Sequence, residues 1–129
     1  METKQHIEYW LKSAAHDLKA AETLFEHQLY DWCLFLGHLV IEKVLKAFYV
    51  RDNHDEKVPL IHNLAMLSER TKLKLTNKQR TLLLEINQFN IKARYPDYKL
   101  EFYRKCTSEF TENNFSKIKE LYKWPLQEI

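Results

Sequence analysis

Apolar residues recur every three or four positions along most of the chain, which is the spacing of an amphipathic α-helix. The first such stretch is predicted to start at Thr3, as N-cap, and to end near residue 27. Its apolar positions are Ile7, Trp10, Leu11, Ala14, Leu18, Ala21, Leu24 and Phe25. A second stretch, capped by Asp31 and ending near residue 51, is apolar around most of its circumference. We therefore expect the second helix to be the central, most buried one.

The third and fourth predicted helices follow a polar loop, RDNHDEKVPLIHN, that breaks the period. A short helix at about residues 64–72 is predicted, with Asn63 or His62 as its cap. A longer helix over residues 77–94 is predicted after Thr76. It must end there, because the ring of Pro96 excludes helical geometry at the residue before it.

The last third of the chain predicts one short helix and one long helix. The short one is expected within YKLEFYRKC, and the long one is expected to begin at Thr111 and to fray or kink near Pro125. With only one glycine and three prolines, the chain has little material for strand turns. We predict an all-α fold, an antiparallel up-and-down four-helix bundle with one or two short extra helices, as a single domain over residues 1–129.

Charge and composition exclude several classes of function. A net charge of +2 is too small to imply nucleic-acid binding by long-range field alone. The single glycine, Gly37, lies in a predicted helix, so neither a phosphate-binding glycine loop nor a dinucleotide fingerprint is present. Cys33 and Cys106 lack a metal-binding spacing and are expected to be reduced. No leader or membrane span is recognised, so we expect a cytoplasmic protein without a cofactor.

Three polar residues interrupt the apolar second helix and lie in one stripe. His38, Glu42 and Lys46 are spaced four residues apart, so they face the same way. His38 and Glu42 could hold a metal ion, but the further ligands that zinc needs are missing, and we expect no metal. The alternative is a polar contact with a neighbouring helix or a dimer partner, in which a lysine or arginine neutralises Glu42.

Two further charged positions have structural explanations. Asp17, among small residues of the first helix, is expected to be either a surface charge or the partner of Lys43 on the second helix. His62 stands at a helix start, where a histidine caps the helix or binds backbone more often than it catalyses.

The segment NIKARYPDY, residues 90–98, combines an arginine at a helix end with two tyrosines. Arg94 is favoured there by the helix dipole, and its guanidinium can bind a carboxylate or a phosphate. One interpretation is a helix stop, in which Asp97 pairs with Arg94 and the tyrosines pack on the protein. The other is a nucleotide site, in which Arg94 contacts phosphate and Tyr95 and Tyr98 stack on bases.

Four segments together resemble the HEPN family (higher eukaryotes and prokaryotes nucleotide-binding). They are WLKSAAHDLKAAETL, LYDWCLFLGHLVIEKVLKAFYV, IHNLAMLSE and ARYPDY, and they follow the family's order over almost the whole chain. The resemblance implies a small helical domain, usually a homodimer, that often acts with a partner nucleotidyltransferase. Many relatives are ribonuclease toxins in which an arginine and a histidine, separated by four to six residues, meet at the cleavage site.

This chain departs from the ribonuclease pattern, because His62 is its last histidine and none follows Arg94. We therefore predict a dimeric module that binds nucleotide or RNA and acts with a partner nucleotidyltransferase, with Arg94, Tyr95 and Lys43 or Lys46 as ligand contacts. The missing motif favours binding without catalysis but leaves enzymatic activity open. Asp17, Glu42 and Asp97 are predicted to form structural polar pairs. The alternatives are a ribonuclease toxin with an atypical site formed by His62 and Arg94, and a structural dimerisation adaptor.

Overall fold

A computed structural model describes residues 2–54 and 57–127, and these residues form six α-helices and no strand. The helices are α1 (Thr3–Glu26), α2 (Tyr30–Asn53), α3 (Leu64–Glu69), α4 (Asn77–Lys92), α5 (Pro96–Lys105) and α6 (Ser108–Leu126). The all-α prediction is therefore confirmed for the described part of the chain. None of its helices combines the length and the apolar character needed to cross a membrane.

Helix α2 carries most of the core, as its nearly continuous apolar pattern predicts. It packs against α1, α3, α4, α5 and α6, so each of the other helices places side chains on it. At Gly37, an added Cβ would lie 2.7 Å from Cδ1 of the buried Ile118, so the glycine allows α6 to approach α2 closely. The fully buried side chains of α2 include Leu34, His38, Val40, Val44, Phe48 and Val50.

Two of the four predicted capping sites are confirmed. The Asn63 side chain accepts a hydrogen bond from the Met66 amide at 3.2 Å, so Asn63, rather than His62, caps α3. Thr76 forms a capping box with Gln79 at the start of α4, and each side chain binds the backbone amide of the other. Both helix starts are thus determined by local sequence.

The other two predicted caps are wrong. Thr3 is the first residue of α1, and Asp31 lies inside the first turn of α2 rather than before it. The turn between these helices closes earlier, because Gln28 adopts a positive φ of 64° and the Leu29 amide donates to the Leu24 carbonyl. A carboxylate in a first turn is still favoured by the helix dipole, so Asp31 does not need the capping position.

Helix α6 begins three residues before the predicted start at Thr111. The Thr107 hydroxyl accepts from the Phe110 amide and caps the helix, whereas Thr111 is fully buried inside it. The predicted start is wrong because Thr107 and Thr111 are both followed by apolar residues at helical spacing, so the sequence pattern does not distinguish them. Pro125 lies in the last turn of α6, which ends one residue later.

Helix α3 is shorter than predicted, ending at Glu69 instead of near residue 72. Side chains at the end of α2 bind the turn that follows it. Asn53 Nδ2 donates to the Arg70 carbonyl at 2.9 Å, and Asp52 Oδ2 accepts from the Lys72 amide at 2.6 Å. These contacts replace the hydrogen bonds that another helical turn would have made.

Pro96 both ends α4 and begins α5. Helix α4 stops at Lys92, two residues short of the prediction, and Pro96 occupies the first position of α5. Proline suits that position because its missing N–H would have no helical partner there. The corner leaves Arg94 and Tyr95 between two helices, beside the first half of α2.

Candidate functional site

Glu42 is the centre of a buried polar network on α2. Its Oε2 accepts a hydrogen bond from Lys46 Nζ at 3.1 Å, and both side chains are less than one-tenth exposed. The structure therefore places a lysine beside this carboxylate, one turn further along the same helix. Lys46 Nζ also lies 5.2 Å from the centre of the Trp10 ring of α1.

The second oxygen of Glu42 binds a histidine outside α2. His62 Nδ1 lies 2.9 Å from Glu42 Oε1, and the His62 side chain is 61% exposed. Because a carboxylate only accepts, Nδ1 must carry the hydrogen, which leaves Nε2 of a neutral His62 with its lone pair. The arrangement holds the imidazole in one orientation and can support proton transfer at Nε2.

His38 binds the backbone of the same loop. Its Nε2 lies 3.0 Å from the His62 carbonyl, which can only accept, so Nε2 is the protonated nitrogen. Its Nδ1 is buried without a hydrogen-bond partner, 4.0 Å from Glu42 Oε1. Burial lowers the pKa of His38 below 6.5, and the nearby charge of Arg94 acts in the same direction, although Glu42 and the His62 carbonyl oppose both.

We expect stability to fall as the pH drops below 6.5, because the unfolded chain then binds a proton at His38 that the folded protein does not. The contribution is complete above that pH and decreases towards the lower pKa of the folded state. His38→Gln keeps a donor for the His62 carbonyl without titrating, so its stability should change less with pH. Urea denaturation at several pH values between 7.5 and 5.5 measures the difference.

His16→Gln, at an exposed position of α1, serves as the control for this comparison. The interpretation would be contradicted if His38→Gln and His16→Gln lost stability with equal slopes as the pH fell.

An amide pair fixes the start of α3, and with it the loop that carries His62. Asn87 Oδ1 of α4 accepts from the Leu64 amide at 2.7 Å, and Asn87 Nδ2 donates to Asn63 Oδ1 at 3.1 Å. Asn63 also caps α3, so its side chain joins the two helices. Asn87 was not among the sequence-predicted site residues, yet it positions one of them.

Arg94 lies at the corner between α4 and α5 with its guanidinium held from one side. Its Nε donates to the Asn90 carbonyl at 3.0 Å. The guanidinium carbon lies 5.5 Å from the centre of the Phe35 ring and 5.7 Å from that of Tyr95. Within the described residues Arg94 forms no ion pair with Asp97, so the pairing considered for the helix stop is not present.

The two predicted lysine contacts have carboxylate partners instead. Lys43 Nζ of α2 donates to Asp17 Oδ2 of α1 at 2.6 Å, which brings together the two residues that the sequence suggested as an interhelix pair. Lys46 is bound to Glu42. Arg94 is therefore the cation of the predicted set that lacks a carboxylate in the described structure. Tyr95, its neighbour, is 52% exposed.

Both cysteines are buried in the core. Burial raises the pKa of Cys33 to about 12 and that of Cys106 to about 12, so both remain protonated thiols at neutral pH. In residues 2–54 and 57–127, no group of three His, Cys, Asp or Glu side chains has an arrangement that could hold a metal ion. The candidate site therefore consists of the Glu42 network and the Arg94 corner.

Comparison with known proteins identifies the family. No curated protein and no solved structure matches the chain significantly. The family model described as the HEPN domain matches residues 7–129, which is nearly the whole chain. It spans every residue of the Glu42 network and the Arg94 corner. The chain belongs to the HEPN domain family.

Proposed function

We propose that this protein binds single-stranded RNA or a nucleotide through the corner formed by Arg94 and Tyr95. The observation that carries the proposal is the state of Arg94: its guanidinium is oriented by Asn90, bordered by two aromatic rings and not neutralised by a carboxylate in the described structure. Such a group supplies a charged fork for phosphate, and the exposed Tyr95 supplies a face for a base. Family membership supports a nucleotide- or RNA-related module.

Lys43 and Lys46 are secondary contacts in this proposal. Each would have to leave its present carboxylate, Asp17 or Glu42, before it could bind phosphate. Exchanging one anion for another gains less than recruiting a cation that has no carboxylate partner. We therefore assign the main phosphate contact to Arg94.

Arg94→Ala is expected to weaken RNA binding by about 10- to 150-fold, since a charge-assisted hydrogen bond contributes roughly 1.5–3 kcal/mol. Arg94→Lys should have an intermediate effect, because it keeps the charge and loses the planar fork. Fluorescence anisotropy with a short labelled RNA of mixed sequence, at fixed low salt, measures both.

Arg80→Ala is the matched control, because Arg80 is an exposed arginine at the other end of α4. It should bind RNA like the unchanged protein. Equal losses of RNA affinity in Arg80→Ala and Arg94→Ala would show that the effect comes from net charge and not from the position of Arg94. Absence of binding to any RNA or nucleotide would refute the proposed function.

A homodimer and a partner nucleotidyltransferase are further parts of the proposal. Leu84 and Ile91 of α4 are seven residues apart and about half exposed, and Met66 of α3 is exposed to a similar degree. Apolar residues in this arrangement suit a contact between two copies of the chain. Sedimentation analysis of wild type and Ile91→Glu tests the dimer.

We also propose that the chain is a single domain, that its long helices form an antiparallel four-helix bundle, and that the protein is cytoplasmic.

A ribonuclease is the second candidate, because Glu42 holds His62 with Nε2 free to act as a base or acid. The charge of Arg94 lies near enough to affect His38, which binds the His62 carbonyl. RNA cleavage that disappears in His62→Ala would favour this function over binding alone. A structural adaptor would instead keep its dimer and bind no RNA.

A further inference from the structure

Asp31, in the first turn of α2, is a mostly buried aspartate whose carboxylate has no protein partner among the described residues. The residue is 5% exposed, and it forms no hydrogen bond or ion pair with any residue that the structure describes. Its carboxylate oxygens are not among the fully buried polar atoms that lack a partner, so the small exposed area of Asp31 includes its carboxylate, which can accept hydrogen bonds from outside the protein. Asp31 borders two adjoining cavities of about 320 Å³ and about 340 Å³. A ligand in this space could donate hydrogen bonds to the Asp31 carboxylate in place of solvent.

Tyr103 of α5 forms the other wall that the two cavities share. Its side chain is 63% exposed, so one face of the ring is open to stacking. Each cavity is lined by one basic residue: Lys99 lines the cavity of about 340 Å³, and Arg104 lines the cavity of about 320 Å³. A hydrogen-bond acceptor, an aromatic face and two cations match the base edge, base plane and phosphate of a nucleotide.

The chemistry of Asp31 selects among the bases. An ionised carboxylate only accepts hydrogen bonds, and its two oxygens suit two parallel donors. Guanine presents the N1 imino and N2 amino groups side by side on its Watson–Crick edge. On the same edge, adenine, cytosine and uracil each place an acceptor beside their donor, and the carboxylate would repel it.

We propose that Asp31 and Tyr103 form a guanine-binding pocket, in which Asp31 accepts from N1–H and N2–H and Tyr103 stacks on the base. This inference rests on the proposed binding of RNA or nucleotide and adds a base preference to it. Asp31, Phe35 and His38 follow one side of α2, and Phe35 contacts the Arg94 guanidinium. At a rise of 1.5 Å per residue, Asp31 lies roughly 6 Å from Phe35 along the helix, so one RNA strand can contact both the Asp31 pocket and Arg94.

The test compares binding of GMP, AMP and XMP to the full chain by calorimetry. The unchanged protein should bind GMP about tenfold more tightly than AMP. Asp31→Asn should lose that preference and bind XMP more tightly than GMP, because the new amide donates to the xanthine O2 that the carboxylate repels. If Asp31 had only a structural role, Asp31→Asn would not change the preferred base from guanine to xanthine.

Asp97→Asn is the matched control, because Asp97 is also a carboxylate in the first turn of a helix. It removes the same favourable dipole interaction and should keep the preference for GMP. Tyr103→Ala should weaken GMP binding about tenfold, whereas Tyr9→Ala, at another half-exposed tyrosine, should not. These two variants test the pocket even if Asp31→Asn does not fold.

The outcomes separate the pocket from the wider function. Equal binding of GMP and AMP by the unchanged protein, or an unchanged preference in Asp31→Asn, overturns the guanine pocket. If Arg94→Ala still weakens RNA binding in that case, the proposed function stands. If the unchanged protein binds no nucleotide and no RNA, both proposals fail.

Discussion

Replacing Glu42 with alanine is expected to lower the free energy of unfolding by about 3–5 kcal/mol. The reason is the charge that remains: Lys46 is 7% exposed and depends on Glu42 Oε2 for its partner. The variant also removes the acceptor of His62 Nδ1, which lies 2.9 Å from Glu42 Oε1. Denaturation in urea at pH 7.5, analysed by linear extrapolation, measures the loss.

The double variant Glu42→Leu with Lys46→Met tests the same explanation in the opposite direction. Replacing both ions with apolar side chains removes the buried charge that the single substitution leaves behind, so stability should return to within about 1 kcal/mol of the unchanged protein or exceed it. Glu85→Ala, at an exposed position of α4, controls for loss of a glutamate and should change stability by less than about 0.5 kcal/mol. If Glu42→Ala were as stable as Glu85→Ala, the Lys46 ammonium group would have to be hydrated in the variant, which would contradict this explanation.

The sequence predicts the stripe on α2 better than it predicts the partners of the stripe. His38, Glu42 and Lys46 share a face because of their spacing on one helix, and local periodicity shows this directly. The contact between His62 and Glu42 joins residues 20 positions apart across a loop. No local pattern determines how such a loop folds back, so the sequence indicated only that His62 would bind something.

Helix ends show the same limit. Asn63 and Thr76 were identified because a capping side chain binds an amide three residues away. Residue type alone predicts Asp31 as a cap, whereas its position in the first turn follows from the chain reversal at Gln28. Its burial between α2 and α5 is a tertiary feature, which is why the cavity beside it was absent from the sequence prediction.

The contacts of the corner NIKARYPDY are only partly predictable from its sequence. The sequence correctly identified Pro96 as the stop, but it left open whether Asp97 pairs with Arg94. The structure gives Arg94 a backbone partner and two aromatic neighbours instead. One of those neighbours, Phe35, belongs to α2, so the arginine joins the corner to the same helix that carries the Glu42 network.

Asn87→Ala is expected to reduce the free energy of unfolding by about 1–3 kcal/mol, the second largest loss that we predict. The substitution leaves the Leu64 amide without its acceptor at 2.7 Å and removes the donor to Asn63 Oδ1. Leu64 is fully buried, so water cannot readily replace the lost acceptor. Because Leu64 follows the loop that carries His62, the amide of Leu64 should also exchange its hydrogen faster, which NMR can measure residue by residue.

Asn87→Asp separates the two hydrogen bonds. It keeps an oxygen for the Leu64 amide and loses only the donor to Asn63, so both its stability and its Leu64 exchange rate should lie between those of Asn87→Ala and the unchanged protein. Gln88→Ala changes the next, exposed residue of α4 and should leave both quantities as they are. If Asn87→Ala and Gln88→Ala gave the same Leu64 exchange rate, the link from α4 to the start of α3 would not be what positions the His62 loop.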